Sequence, residues 1–403
     1  MKRSTRIVLI IIALALIPAI VSLQTAIDPQ RPQFQPGRGV GSVMTRGANP
    51  VILPSQFVVG TIIGFREVVA GLLWVRANDF FHSGNYEAIV PLTRMITWLD
   101  PHQIDVYCTG AWHLAYNFVD SAQRADWRYL APAMKFLEEG IANNPGVYDP
   151  EFELGFVMYY MKAQNFEKAI YWISRAASEK DVPFFVAHQV AHSYEKAGRI
   201  DDCIRQWEYC VKRSRAALKE DPNNVRAGTD LQTSKRILDL TLVRRTMRAD
   251  VGEHPLDVGF EANLKRLGPR LFQISGKANL PDSARIDVTL LDEDYEEPDP
   301  ETFNWEVDPD VTAIVNIGIH GIYVENGRFE RKYKLTKDLK QYPFKKDRYV
   351  LTLIFNPRTA SGFMQDRIGW NGEGLTDKNY LDTSVPGLRR IRKVIYLNRE
   401  DII

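Results

Sequence analysis

The spacing of apolar residues changes once along this chain of 403 residues. From about Ala70 to Asn223 the apolar residues recur with the period of helices, and beyond residue 268 they alternate with the period of two that is typical of strands. Helices followed by strands predict a multidomain α + β fold rather than repeated βαβ units. The composition fits folded domains, because 45% of the residues are apolar and 25% are charged. We therefore expect a helical domain at 56–250 and a β domain at 268–403.

Within the helical part, one pattern of small and aromatic residues returns. Ala77 and Phe80 in the segment RANDFFHSGNYEAIVPLTRMITWLDP correspond to Ala191 and Tyr194 in VAHSYEKAGRIDDCIRQWEYCVKR. Small residues at such positions let two antiparallel helices approach closely, and the aromatic side chains fill the remaining space. Two less regular units lie between these segments, and the turn of the second, within about 148–181, is longer than the pattern requires.

The returning pattern resembles the tetratricopeptide repeat (TPR). This resemblance implies a degenerate TPR α-solenoid of four helix pairs, closed by a capping helix from about Asn223 to Ala249. It also implies a concave groove along the first helices, where such arrays usually bind a peptide or a helix. The positions expected to line this groove are mostly aromatic, and they are Trp74, Asn78, Phe81, Trp112, Tyr116, Phe152, Phe156, Tyr159, Tyr160, His188 and His192.

Two occupants of this groove are compatible with the sequence. Aromatic side chains with polar tips dominate the binding energy of many protein interfaces, which favours a partner polypeptide. The chain's own linker or capping helix is the alternative, and the aromatic side chains would then belong to the core.

The first 27 residues predict a membrane anchor. The segment MKRSTR carries three positive charges, and residues 7–23 carry none at all, which is enough helix to cross most of a bilayer. This order predicts a single-pass protein of the inner membrane, with a cytoplasmic N-terminus, lipid around residues 7–23 and the bulk of the chain in the periplasm or outside the cell. A cleaved signal peptide is the alternative, although suitable small residues are missing from the candidate cleavage sites. Residues 28–55 are rich in Pro and Gly and predict a linker.

The C-terminal part predicts an antiparallel β-sandwich. About seven short strands are separated by glycine and proline signals, a pattern that looks immunoglobulin-like although this part contains no cysteine. Between Asp292 and Asp310 there are ten acidic residues and no basic one. Hard oxygen ligands of this kind bind Ca²⁺ in other loops, and a solvated loop or docking surface is the alternative.

Motifs for catalysis are missing from the sequence. It contains no GxSxG elbow, no P-loop and no HExxH helix. His188 and His192 stand four residues apart and are weak candidates for a metal site, but Gln189 occupies the place of the zincin glutamate. The net charge of +1 provides no basic field for nucleic acid. We expect neither enzymatic activity nor a cofactor.

Three functional hypotheses follow from these parts. The first is a membrane-anchored, extracytoplasmic TPR scaffold that binds other envelope or membrane proteins through its concave face. The alternative is an envelope module that binds Ca²⁺, a glycan or a cell-wall fragment through the β-sandwich, using the acidic loop and the GWNGEG loop at 369–374. A metallohydrolase built on the two histidines is the least favoured.

Overall fold

The computed structural model describes residues 65–83, 89–117, 127–300, 302–303, 307–308, 310–315, 317, 321–335 and 343–403. The helices of its first part precede all described strands. In chain order they are α1 Arg66–His82, α2 Ile89–Leu99, α3 Ile104–Trp112, α4 Leu130–Asn143, α5 Tyr148–Phe152, α6 Phe166–Ser178, α7 Phe184–Lys196, α8 Ile200–Glu220 and α9 Val225–Met247. Two of them continue as π-helices, α3 over His113–Asn117 and α5 over Glu153–Ala163.

Neighbouring helices of this part pack against each other in chain order. Glycines allow the closest approaches: a methyl group on Gly110 of α3 would lie 2.7 Å from the ring of Phe136, and one on Gly140 of α4 would lie 2.7 Å from the ring of Tyr107. The described helical region is therefore an array in which each helix packs on the next one in the chain, as the repeat pattern predicts. Helix α9 packs on α8 at the end of the array, in the position predicted for the capping helix.

Helix α5, which forms the third pair with α6, differs from the prediction. After Phe152 it continues as a π-helix, in which each hydrogen-bonded ring encloses one residue more than in an α-helix. The extra residues of this unit are therefore taken up inside the helix and not in its turn. Only Gln164 and Asn165 separate the π-helix from α6, and Asn165 caps α6 by accepting a hydrogen bond from the backbone N–H of Lys168 at 3.2 Å.

The second part of the chain consists mainly of short strands. They are β1 Leu256–Asp257, β2 Glu261–Gly268, β3 Leu271–Lys277, β4 Arg285–Asp292, β5 Ala313–Val315, β6 Ile322–Tyr323, β7 Arg328–Lys334, β8 Arg348–Phe355, β9 Leu375–Thr376, β10 Leu381–Asp382 and β11 Arg390–Asn398. Two short helices accompany them, α10 Gly362–Ile368 and α11 Arg399–Ile402.

These strands form two larger antiparallel sheets among the described residues. One has the order β10-β11-β8-β4-β5, with β6 also paired to β4, and the other has the order β2-β3-β7. Both sheets contribute to a single hydrophobic core, for example with Val288 and Leu353 from the first and Ile274 and Phe329 from the second. Two sheets over one core agree with a β-sandwich. The immunoglobulin-like topology stays a prediction.

The first long strand starts earlier than the pattern indicates. Strand β2 begins at Glu261, before residue 268, where the period of two was expected to start. Most of its side chains are exposed, so the alternation of apolar residues that would have revealed it is weak.

The predicted membrane anchor at 7–23 and the predicted linker at 28–55 lie outside the described residues. Among the residues that are described, no helix is both long and apolar enough to span a bilayer. The longest two, α8 and α9, carry charges along their whole length, whereas a spanning helix needs about 20 mostly apolar residues. We therefore correct two predictions. One is the fold class with an N-terminal transmembrane helix, and the other is the single-pass location in the inner membrane with lipid around residues 7–23. The described fold is a helical array followed by a β domain.

The β domain contacts the helical array at its second and fourth helix pairs. Trp127, just before α4, donates its backbone N–H to the carbonyl of Ala313 at 3.1 Å. At the other end, the Asn371 side chain donates to the carbonyl of Gly198, between α7 and α8, at 3.3 Å. The GWNGEG loop therefore contacts the helical array through Asn371, and a ligand site on this loop stays a prediction.

Candidate functional site

The most prominent feature of the array is a row of stacked aromatic side chains. The ring centroids of Phe152 and Phe156 lie 5.2 Å apart, and those of Phe156 and Tyr160 lie 5.5 Å apart, with nearly parallel planes in both pairs. Phe185, at the start of α7, meets Phe152 edge to face at 5.4 Å. We call these four residues the aromatic ladder. It spans the first helices of two adjacent pairs.

A second aromatic group lies on the neighbouring first helix. Trp112 at the end of α3 stacks on Tyr116 at 6.2 Å, and the Tyr116 hydroxyl donates to the carbonyl of Val157 at 3.3 Å. That hydrogen bond connects the first helix of the second pair to the first helix of the third pair. The ammonium group of Lys162 lies 4.9 Å from the centroid of the Tyr116 ring, in a cation–π contact. Trp112 is itself 40% exposed, so part of this group faces solvent.

The predicted groove residues divide into three groups in the structure. The half-buried ones pack against the core of the array, and they are Trp74, Tyr116, Phe152, Phe156 and Tyr160. Phe81 is also half-buried, and its ring centroid lies 4.5 Å from that of His113. Asn78 is exposed on α1. Tyr159 is buried in the core, because adjacent residues of a helix point in different directions and Tyr160 takes the side of the ladder.

Sequence reasoning missed Phe185, the most exposed member of the ladder at 47%. It lies three residues before His188 on the same helix, which is the spacing that places two side chains on one face. Extending the groove positions by one turn toward the helix N-terminus would have found it.

The two candidate metal ligands pack against α8 and α9. Both rings lie against Trp207, with centroid distances of 5.0 Å for His188 and 5.2 Å for His192. The Nε2 atom of His188 lies 2.7 Å from a carboxylate oxygen of Asp230 and 3.0 Å from the hydroxyl of Ser234, both on α9. His188 therefore links α7, the first helix of the fourth pair, to the capping helix α9. Among the described residues no three His, Cys, Asp or Glu side chains are arranged to hold a metal ion.

The negative charges of three carboxylates act on Cys108 of α3, which is half-buried against the core of the array. Burial raises the pKa of the Cys108 thiol, and the negative charges of Glu153, Asp149 and Asp105 raise it further. Asp105 and Asp149 lie in the first turns of α3 and α5, where a negative charge interacts favourably with the helix dipole. Glu153 follows α5 in the π-helix and has no such explanation. We call these three carboxylates the acidic cluster.

Glu153 is partly buried and titrates near neutrality. Burial raises the pKa of its carboxyl group to about 7, and the charge of Asp149 adds to the increase. The folded state therefore disfavours the ionised form relative to the unfolded chain. This penalty is absent at low pH, where both states are protonated, grows as the pH rises from the unfolded pKa, and is complete above the folded pKa.

We expect Glu153→Gln to stabilise the chain at high pH only. The amide keeps the shape of the side chain and removes the charge, so the free energy of unfolding should rise by about 2 kcal/mol at pH values above 7, less than the full pKa shift because water still reaches the group. Urea denaturation at acidic and at alkaline pH measures this difference. The exposed Glu208→Gln on α8 is the matched control and should change the stability little at either pH. An equal effect of Glu153→Gln at both pH values would contradict the assignment.

Three acidic residues at the start of the segment 292–310 bind groups of the β domain. Asp292 is buried and accepts the backbone N–H of Thr312 at 2.9 Å, and burial raises the pKa of its carboxyl group to about 6. Glu293 pairs with Arg348 at 3.2 Å, and Asp294 pairs with Lys346 at 2.8 Å. These contacts engage three of the ten carboxylates that the sequence offered for Ca²⁺, and a Ca²⁺ site on this segment stays a prediction.

The β domain also has an open cleft of about 650 Å³ on its surface. Its walls come from β2, β3, β6 and β7, and charged and polar side chains such as Glu261, Lys277 and Arg328 dominate them. Strand register places Glu261, Lys277 and Arg328 side by side, so opposite charges already neighbour one another in this cleft. It lies apart from the GWNGEG loop and from the acidic segment.

Comparison with known proteins gives no family assignment. No family model matches the chain, and no curated protein matches it. Among solved structures, YrrB, described as a TPR protein with an unusual peptide-binding site, is 13% identical with a TM-score of 0.28, and the match covers 45% of this chain and 84% of YrrB. The MamA protein is also 13% identical with a TM-score of 0.28, and its match covers 47% of this chain and 97% of MamA. These scores are too low for any conclusion about the fold or the site of this chain, and the TPR resemblance rests on the sequence pattern.

Proposed function

We propose that this chain is a protein-interaction scaffold, and that its aromatic groove binds a segment of a partner polypeptide. The observation that carries the proposal is the exposure of Trp112 and Phe185 at the two sides of a stacked aromatic row. Large aromatic side chains lose water contact favourably when a partner covers them, and they supply much of the energy of such interfaces.

The chain's own capping helix does not explain these aromatic side chains. Helix α9 meets α7 through His188, on the side of Trp207, and the contacts described for Phe185 lead instead to Phe152. The predicted linker at 28–55, the other internal occupant, lies outside the described residues. A partner polypeptide is therefore the occupant that we propose.

Affinity purification from the native cells tests the proposal. We expect Trp112→Ala and Phe185→Ala each to reduce the recovery of a specific co-purifying protein at least about tenfold, the size of a typical interface hot spot. Tyr209→Ala is the matched control, because Tyr209 is an equally exposed aromatic residue on α8, which belongs to the second helices. Unchanged thermal melting would show that the variants fold.

The proposal fails if the three alanine variants recover the same proteins in the same amounts. It also fails if Tyr209→Ala lowers recovery as much as Phe185→Ala does, because binding would then follow general surface hydrophobicity and not the groove.

A further inference from the structure

Helix α1, the first described helix of the array, presents an apolar stripe on its outer side. Its buried residues, among them Val69 and Leu73, belong to the core of the array. On the opposite side lie Val68, Leu72 and Val75, and each of these three side chains is more than half exposed. Residues that are three, four or seven positions apart share one face of a helix, so the three side chains form a single stripe.

Helix α9 presents a similar stripe at the other end of the described array. Its inner side is marked by Ser234, which contacts His188 of α7. On the outer side lie Leu240, Val243 and Met247, each about half exposed. The terminal helix of a repeat array ordinarily needs a polar outer face for solubility, so an apolar stripe at this place indicates a partner that covers it.

The direction of the helices indicates how a covering helix would lie. Helix α9 runs antiparallel to α8, because Arg245 near the end of α9 pairs with Asp201 at the start of α8 at 2.7 Å. A further helix that continued the stack in the same way would run antiparallel to α9. We therefore compare the two stripes as an antiparallel pair, with α1 taken from a second copy of the chain.

The apolar positions of the two stripes coincide in this arrangement. The α1 stripe has intervals of four and then three residues, and the α9 stripe has the same intervals when it is read backwards. The resulting apolar pairs are Val68 with Met247, Leu72 with Val243, and Val75 with Leu240.

The same register brings opposite charges together. Asp79, four residues after Val75, comes opposite Arg236, and Arg76 comes opposite Asp239. All four charged side chains belong to exposed residues. Within one copy Arg76 lies 3.9 Å from Asp79, an exposed pair that contributes little to stability by itself. Charge complementarity therefore favours α1 of a second copy as the partner of α9.

We propose that copies of this chain associate head to tail, with α1 of one copy packed antiparallel on α9 of the next. Such a contact joins two different faces, so copies add one after another into an open row or a closed ring. The terminal stripes are then buried in the same manner as the internal helix faces of the array. This inference does not depend on the aromatic groove or on the proposed function.

Two variants that each place a carboxylate in one stripe test the contact by sedimentation velocity. They are Leu72→Asp on α1 and Val243→Asp on α9. We expect the full chain to form oligomers at about 100 μM, and each variant to associate at least about tenfold more weakly. Tyr171→Asp is the matched control, because Tyr171 of α6 is similarly exposed, and this variant should associate as the unaltered chain does. Unchanged thermal melting would show that the variants fold.

A mixture of the two variants distinguishes the possible arrangements. Leu72→Asp keeps its α9 stripe and Val243→Asp keeps its α1 stripe, so the mixture should form a complex with one copy of each and stop there. If either variant alone still forms dimers, the contact joins like faces and the head-to-tail arrangement is wrong.

Two other results would overturn the proposal. The first is an unaltered chain that stays monomeric at about 100 μM. The second is a Leu72→Asp variant that melts at a lower temperature but associates as the unaltered chain does, because residues of the same copy would then cover the α1 stripe.

An exchange of charges tests the register. Asp79→Arg and Arg236→Asp should each weaken the association at least about threefold, because each places like charges opposite one another. The chain that carries both changes should recover the original association, since the pair is restored with its signs reversed. If the double variant associates no better than the single ones, these two side chains do not face each other and the proposed pairing is wrong.

Discussion

Arg248→Ala is expected to lower the free energy of unfolding by about 3 kcal/mol and to separate the melting of the β domain from that of the helical array. Arg248 follows α9, and its side chain is 1% exposed. Its guanidinium donates to a carboxylate oxygen of Asp366 at 2.8 Å and to the carbonyl of Gly362 at 3.0 Å, and it lies 4.1 Å from the centroid of the Trp370 ring. All three partners belong to the β domain, so the alanine removes contacts that connect the two parts.

Differential scanning calorimetry measures this effect as a change from one transition to two. Arg245→Ala is the matched control, because Arg245 lies three residues earlier and forms an exposed ion pair with Asp201 at 2.7 Å. Exposed ion pairs contribute little, so this control should cost less than about 1 kcal/mol. A single transition at an unchanged temperature in Arg248→Ala would show that this arginine does not couple the domains.

Gly155→Ala is expected to destabilise the array by about 2 kcal/mol. Gly155 lies in the π-helix that carries Phe156, and a methyl group there would be 2.6 Å from a side-chain carbon of Ile173 and 2.9 Å from its backbone nitrogen. The backbone of α6 cannot move away without disturbing its own hydrogen bonds. The overlap therefore outweighs the better helix propensity of alanine.

Gly228→Ala provides the opposite result from the same chemical change. Gly228 lies in α9 and has no atom within 4 Å of the added methyl group, so alanine should stabilise the chain by about 0.5–1 kcal/mol. Urea unfolding of the two variants measures both signs. Stabilisation by Gly155→Ala would mean that the π-helix and α6 are packed more loosely than described.

The sequence pattern predicted the architecture wherever it depended on local periodicity. The change from helix spacing to strand spacing gave the order of the two parts, and small residues such as Ala77 and Ala191 indicated helix pairs that pack closely. Most of the aromatic side chains expected in the groove lie half-buried on the first helices, although their role in binding stays a proposal. Strand β2 was missed because its exposed, charged side chains hide its alternation.

The candidate site was less predictable, because its residues meet across helices. Two histidines at helical spacing suggested a shared ion, yet His188 contacts Asp230 and Ser234 from a helix about 40 residues further along the chain. The acidic cluster could not be recognised either, since Asp105 and Glu153 come together only when α3 packs beside α5.

By itself the sequence determined which segments become helices or strands and which of their faces are apolar, because these properties depend on residues a few positions apart. Only the tertiary structure decided that the carboxylate of Glu153 is partly buried, that Tyr159 is core while Tyr160 belongs to the ladder, and that Arg248 connects the two parts. The physical reason is that burial and charge pairing depend on which distant residues share a space. Local spacing along the chain does not record that proximity.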